Sequence, residues 1–144
     1  MSNIACLLMA CQLAKQKFEC RVSSVLNKNV KSYGKQFMFD DESETCWNSD
    51  SGSPQWVFIK FDQEVELSCI KIQFQGGFAG KKCWIEAGSD LKNLDYIQDI
   101  FPEDINLLQT FNLDFSKKAS AFKIIFDSST DFFGRIIIYK LSLS

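Results

Sequence analysis

The chain contains no histidine. That absence removes the Ser–His–Asp and Cys–His catalytic units, along with the side chain that most often exchanges protons near neutral pH. The six cysteines stand at 6, 11, 20, 46, 69 and 83, and no two of them are spaced C-x-x-C. With histidine also missing, the usual structural zinc patterns are excluded. There is no G-x-x-x-x-G-K-[ST] loop to cradle phosphates and no G-x-G-x-x-G turn. Neighbouring carboxylates do occur, as at Asp40/Asp41 and Glu103/Asp104, but sequence adjacency does not place two carboxyls across a glycosidic bond. Without catalytic groups or a cofactor motif, we expect a binding module, not an enzyme, and no cofactor.

An excess of positive charge is also missing. The net charge is −2 and the sequence pI about 5.1, so there is no electrostatic footprint for direct nucleic-acid binding. Charge is nevertheless unevenly placed. Lys15, Lys17, Arg21, Lys28, Lys31 and Lys35 are opposed only by Glu19, and Asp40, Asp41, Glu42, Glu44 and Asp50 follow. Such runs are either solvated loops of opposite sign or a charged docking surface.

Long hydrophobic runs are absent as well. The apolar core at residues 4–11 is far shorter than the roughly 18 residues of a membrane span, and no basic residue precedes it. We therefore expect neither a membrane partner nor a secretory leader. Ile4, Leu7, Leu8, Cys11 and Phe18 instead fall on one helical stripe, with Ser2 or Asn3 as a cap. Residues 1–19 are expected to form an extension with a short amphipathic helix, and residues 20–144 the domain. The cysteines lack the dense spacing of a disulfide framework and are expected to be thiols in a reducing compartment.

What the chain does have is apolar area. With 46% hydrophobic residues and 14 phenylalanines among 144 residues, one domain folds without a metal or disulfide staple, burying roughly 70% of its unfolded surface. From residue 20 onward the pattern is a succession of short strands. In "QWVFIKF", Val57, Ile59 and Phe61 share one face; in "CIKIQFQ", Ile70, Ile72 and Phe74 do; in "AFKIIF", Phe122, Ile124 and Phe126 do. Further strands are expected at 83–88, 95–101, 107–113 and 135–143. Turn residues separate them at Gly34, Gly52, Ser53–Pro54, Gly76–Gly77, Gly80, Gly88–Ser89 and Ser128–Ser129. That rhythm predicts an all-β antiparallel sandwich of about eight strands.

Four segments stand out: "FDDESETCWNS" at 39–49, "PQWVFIKF" from Pro54, "IQFQGGF" at 72–78 and "TDFFGRIIIYKLSL" from Thr130. Their order resembles the discoidin-type, or coagulation factor 5/8 type C, domain family, in which a D-x-x-x-x-T-x-W loop precedes a W-hydrophobic strand and a G-R-aliphatic strand closes the fold. Here those elements are Asp40 to Trp47, Trp56 onward, and Gly134, Arg135 and Ile136 to Tyr139. The resemblance implies a discoidin-like (galactose-binding-like) jelly-roll β-sandwich. Shorter stretches, "RVSSVLN" at 21–27, "ETCWNSD" at 44–50, "QFQGGF" at 73–78, "PED" at 102–104, "LQTF" at 108–111 and "TDFFGR" at 130–135, are similar to a nuclear-receptor-associated group of small discoidin-like proteins.

That narrower resemblance implies an intracellular protein-interaction module of nucleus and cytoplasm with a protein partner such as a nuclear receptor. It would repress receptor-driven transcription by blocking dimerisation or DNA access. Two other readings remain open: a carbohydrate or small-ligand module, as many discoidin-like domains are, and a substrate-receptor subunit of a ubiquitin ligase-type assembly docked through residues 1–18.

In this family ligands meet loops at one end of the sandwich. The candidate binding residues at such a rim are Trp47, Asn48, Gln73, Gln75, Gly76, Gly77, Phe78, Asp131, Phe132, Phe133 and Arg135. Trp47 and Trp56 either cap the core or serve the rim. Phe132 and Phe133 are adjacent, so one extended segment cannot aim both at the same core; we expect one ring inside and the other on the rim. Asp131 and Arg135 are spaced to close the turn as an ion pair. Many family members hold calcium near the first loop, which here offers Asp40 and Thr45. Lys140 stands where an acidic residue would complete that site, and its ammonium would repel a divalent ion and pair with Asp40 or Asp41 instead. No metal is expected.

Overall fold

Alternating apolar residues build two facing antiparallel sheets. The computed structural model describes residues 16–114 and 118–144. Among them, nine strands run in chain order: β1 (Phe18–Val22), β2 (Trp47–Asn48), β3 (Gln55–Glu66), β4 (Cys69–Phe74), β5 (Cys83–Asp90), β6 (Asn93–Ile100), β7 (Leu108–Asn112), β8 (Lys118–Phe126) and β9 (Ile137–Leu143). One sheet has the order β1-β3-β8-β5-β6 and the other β2-β9-β4-β7. The two last strands in the sequence thus occupy interior positions, one in each sheet.

The inward sets expected from the sequence line the space between the sheets. Val57, Ile59 and Phe61 of β3, Phe122, Ile124 and Phe126 of β8, and Ile70, Ile72 and Phe74 of β4 are all buried. Rings from opposite sheets meet edge to face, Phe74 against Phe126 with centroids 5.8 Å apart. This is a favoured aromatic geometry, in which the positive edge of one ring meets the negative face of the other. The run "IIIYKLSL" does not alternate strictly, and a bulge explains why. Between the pairs Gln73–Lys140 and Phe74–Ile138 the register shifts by one residue. Tyr139 is the extra residue, so Ile138 and Leu141 both reach the core while Lys140 turns away.

Between β1 and β2 the chain forms no long strand. It winds through 3-10 turns at Leu26–Lys28 and Lys35–Met38 and a four-residue helix α1 (Val30–Tyr33), capped by the Asn29 side chain, which accepts from Ser32 N. Phe18, placed by its spacing on the N-terminal helical stripe, is instead the first residue of β1, paired with Phe61. Its ring packs on Phe39 at 5.0 Å, and that apolar contact holds it in the sheet. The rest of the stripe, Ile4 to Cys11, lies outside the described residues.

Cys20, Cys46 and Cys83 are free thiols, and burial pushes both Cys20 and Cys83 up to about 12. Cys69 departs from the all-thiol expectation: it is disulfide-bonded. No helix among the described residues is long and apolar enough to cross a membrane.

Candidate functional site: a rim of loops at one end of the sandwich

Four loops meet at the end where β3, β5, β7 and β9 begin: residues 49–54, 75–82, 101–107 and 127–136. Backbone and side-chain hydrogen bonds lock them together. The 75–82 loop is central. Gly76 N donates to Asn106 Oδ1 and Gly77 N to Asp104 Oδ1, both at 2.7 Å, so these glycines are pinned by the neighbouring loop. Phe78 N returns to Gln75 O at 3.0 Å with Gly77 at φ +90°, a type II geometry in which glycine suits the third position. On the other side, Thr130 N donates to Ala79 O and Lys81 N to Ser128 O.

The "TDFFGR" turn sits on this platform. Asp131 N donates to Ser129 Oγ, Gly134 N to Asp131 O, and Arg135 N to the Asp131 carboxylate at 3.0 Å. The carboxylate therefore closes the turn through a backbone amide, in place of the expected ion pair, because the guanidinium points elsewhere. Arg135 Cζ lies 5.0 Å over the Phe78 ring and Nη2 donates to Asn48 Oδ1 at 3.3 Å. Its Nε is buried with no hydrogen-bond partner among the described residues. A buried unpaired donor is costly, of the order of 1–3 kcal/mol.

The two phenylalanines do not divide their roles. Phe132 is 93% exposed and Phe133 66%, and the rings pack on each other edge to face at 5.2 Å. Neither enters the core, because the turn is held from beneath by Gly52 N donating to Phe133 O at 2.7 Å. That bond holds the backbone at the surface, with both side chains outward.

Trp47 leaves the candidate rim. Its ring is fully buried and its indole N–H donates to Ser24 O at 2.9 Å. Asn48 is buried too and supports Arg135 from below. Gln75 accepts from the Tyr139 hydroxyl at 3.1 Å, and Gln73 reaches Asn106 O at 3.4 Å, so both amides are partly engaged within the protein. Beneath the rim, buried Gln55 donates to Asp50 O and Gly52 O and accepts from the Ser23 and Ser24 hydroxyls. Two residues escaped the sequence reading: Phe101, 81% exposed, and Leu107, 65% exposed. Both were assigned to strands. The available signal was the one read at Phe132–Phe133, namely adjacent apolar pairs, here Ile100–Phe101 and Leu107–Leu108, that cannot both face one core.

The Asp40–Thr45 loop is bonded to itself. Thr45 Oγ1 donates to Asp40 Oδ2 at 2.6 Å and Glu42 N to Oδ1 at 3.0 Å. The Thr45 hydroxyl, aided by the backbone amides and the charge of Lys140, holds the Asp40 carboxyl below the usual carboxylate range. No group of three or more metal-ligating side chains occurs among the described residues. Both Asp40 oxygens accept hydrogen bonds and the Lys140 charge acts on them, which disfavours a divalent cation at this carboxylate. Titration with calcium is expected to leave the melting temperature unchanged. A rise of several degrees at micromolar calcium, the size expected for about 2–3 kcal/mol of ligand stabilisation, would reverse that assignment.

Comparison with known proteins agrees with this architecture. A family 32 carbohydrate-binding module of Clostridium perfringens, CpGH89CBM32-5, solved with GalNAc-β-1,3-galactose, superposes with a TM-score of 0.73 at 16% identity over 88% of this chain and 94% of that one. The family 32 module of C. perfringens NanJ, solved with galactose, gives 0.71 at 18% identity, covering 88% and 92%. In sequence, the chain is 50% identical over 135 residues to the nuclear receptor 2C2-associated protein of Danio rerio, 94% of this chain and 96% of that protein. It is 46% identical over 121 residues to the protein of the same name in Homo sapiens, covering 84% and 86%. The F5/8 type C domain description matches residues 21–138. Two facing antiparallel sheets, the Asp40-to-Trp47 loop and the closing Gly134–Arg135 strand therefore have one explanation: the chain belongs to the F5/8 type C domain family, as a relative of the nuclear receptor 2C2-associated proteins.

Proposed function

We propose that the chain is a non-enzymatic protein-interaction module of nucleus and cytoplasm whose loop rim docks a nuclear receptor and represses it by hindering dimerisation or access to DNA. The observation that carries this reading is the Phe132–Phe133 pair, exposed on a turn fixed from beneath. Rigid exposed aromatics lose little entropy on binding and are typical interface anchors. Arg135, half-buried beside them and held over the Phe78 ring, adds a fixed positive charge suited to a carboxylate of the partner. The names of the relatives supply the partner class.

The test uses purified nuclear receptor 2C2 and the full chain beside a Phe132→Ser/Phe133→Ser double variant. Both rings are exposed, so stability should shift by no more than about 0.5 kcal/mol. Receptor affinity should fall by roughly 30-fold or more, the scale of one lost hot spot. Undiminished capture by the variant, or receptor dimers unaffected by excess protein in sedimentation, would sink the proposal. A galactose titration that perturbs the rim while the receptor fails to bind would favour the carbohydrate reading.

A further inference from the structure

A second concavity, of about 320 Å³, lies away from the loop rim, where β1 and β3 meet the α1 segment. Its base is the Trp56 ring and its apolar walls include Val25 and Val30, the latter 57% exposed. The charged side chains lining it are Arg21 and Lys35, both positive. A third cation stands at the edge: Lys123 Nζ is 4.7 Å from the Trp56 ring centroid. Register explains the grouping. Phe58 pairs with Arg21 on one side and with Lys123 on the other, so one row across three strands puts both cations on the outer face with Trp56. The wall opposite is held in shape by Gln36 Nε2, which donates to Val30 O at 2.7 Å. Of the acids on this outer face, Glu86 pairs with Lys123 on the far side and Glu19, two residues from Arg21 on β1, pairs with Lys60; neither lines the groove.

An apolar floor ringed by cations, on a protein whose net charge is −2, is a local exception to the overall acidity. We propose that this groove docks a short acidic segment of a partner protein, seating one apolar side chain on Trp56 between Val25 and Val30 while flanking carboxylates meet Arg21, Lys35 and Lys123. The volume suits one or two side chains, near the lower end of ligand-site sizes. A single aromatic and three cations are too few for the stacked bases and long basic track of single-stranded nucleic acid. This surface is separate from the rim and holds whether or not the rim engages a receptor.

The test is fluorescence anisotropy of the full chain with labelled peptides of about twelve residues, each bearing a central Leu-Phe flanked by Glu, by Ser or by Lys. The Glu peptide should bind about tenfold tighter than the Ser peptide, and the Lys peptide weakest. Raising sodium chloride from roughly 50 to 300 mM should weaken the Glu complex several-fold, because exposed charges are screened. The Arg21→Glu/Lys35→Glu variant changes only exposed side chains. It should keep its melting temperature and lose about tenfold in affinity, whereas Phe132→Ser/Phe133→Ser should bind as before. Equal affinity for Glu and Ser peptides, unreduced binding by the charge-reversed protein, or loss in the rim variant would each overturn the proposal. So would a short thymidine oligonucleotide that outcompetes the Glu peptide.

Discussion

Trp47→Ala is expected to lower the unfolding free energy by about 4 kcal/mol, which corresponds to roughly 12–16 °C in melting temperature for a chain of this size. Two losses combine. The fully buried ring leaves a cavity beneath the four-stranded sheet, and Ser24 O loses the indole donor it accepts from at 2.9 Å. Ser24 is itself a junction, since its hydroxyl donates to Gln55 Oε1 and accepts from Asp50 N. Loosening it should disturb the 49–54 loop on which the Phe133 turn rests. Trp47→Phe separates the terms: most of the volume stays, and only the orphaned carbonyl, worth about 1–3 kcal/mol, is felt. Urea unfolding with an unchanged slope measures both. A Trp47→Ala loss below about 1 kcal/mol would return this residue to the surface role that its loop position suggested.

The second large effect is expected at Gly134. Its φ is +86°, and a Cβ there would stand 2.5 Å from Gly52 O and 2.7 Å from Ser53 Oγ. The left-handed conformation alone costs an L-residue about 1–2 kcal/mol. The clash adds a similar amount, because Gly52 cannot retreat without breaking its 2.7 Å bond to Phe133 O. Gly134→Ala should therefore cost about 3 kcal/mol and weaken partner binding, since the aromatic pair precedes the strained point. Asparagine ordinarily tolerates this backbone region. Here Gly134→Asn should be as harmful as alanine, because it carries the same Cβ. If asparagine restored wild-type stability in thermal melts, backbone conformation alone would account for the glycine.

Much of the sandwich was legible because period-two alternation survives wherever a strand has one buried face. Val57, Ile59 and Phe61, or Ile70, Ile72 and Phe74, state their orientation directly. The bulge at Tyr139 was not legible, since a run of three isoleucines suits either register until the partner strand is known. The segment from Ser23 to Met38 was likewise opaque: Ser23 and Ser24 are fixed by the distant Gln55, and the short helix and 3-10 turns that follow have no alternation to read. At the rim, "TDFFGR" announced an anomaly, and adjacency showed that both rings could not enter the core. It did not show that both stay out, because that follows from Gly52 N, which lies far away in sequence. The Asp131–Arg135 spacing correctly marked a closed turn but not the closing atoms, since carboxylate-to-amide and carboxylate-to-guanidinium bonds need the same separation.

The interior placement of β8 and β9 bears on how the chain is made. Until β8 emerges from the ribosome, the first sheet exists only as two separate hairpin-like halves, β1 with β3 and β5 with β6. Until β9 follows, β2 has no partner and β4 with β7 presents one bare side. Early folding of the segment before β8 is therefore denied to this domain, and the nascent polypeptide carries unpaired strand edges until both closing strands have emerged. Such edges recruit chaperones or neighbouring copies, and long-range pairing slows the final closure. Cellular yield should depend on holdase capacity during translation more than on the stability of the finished protein.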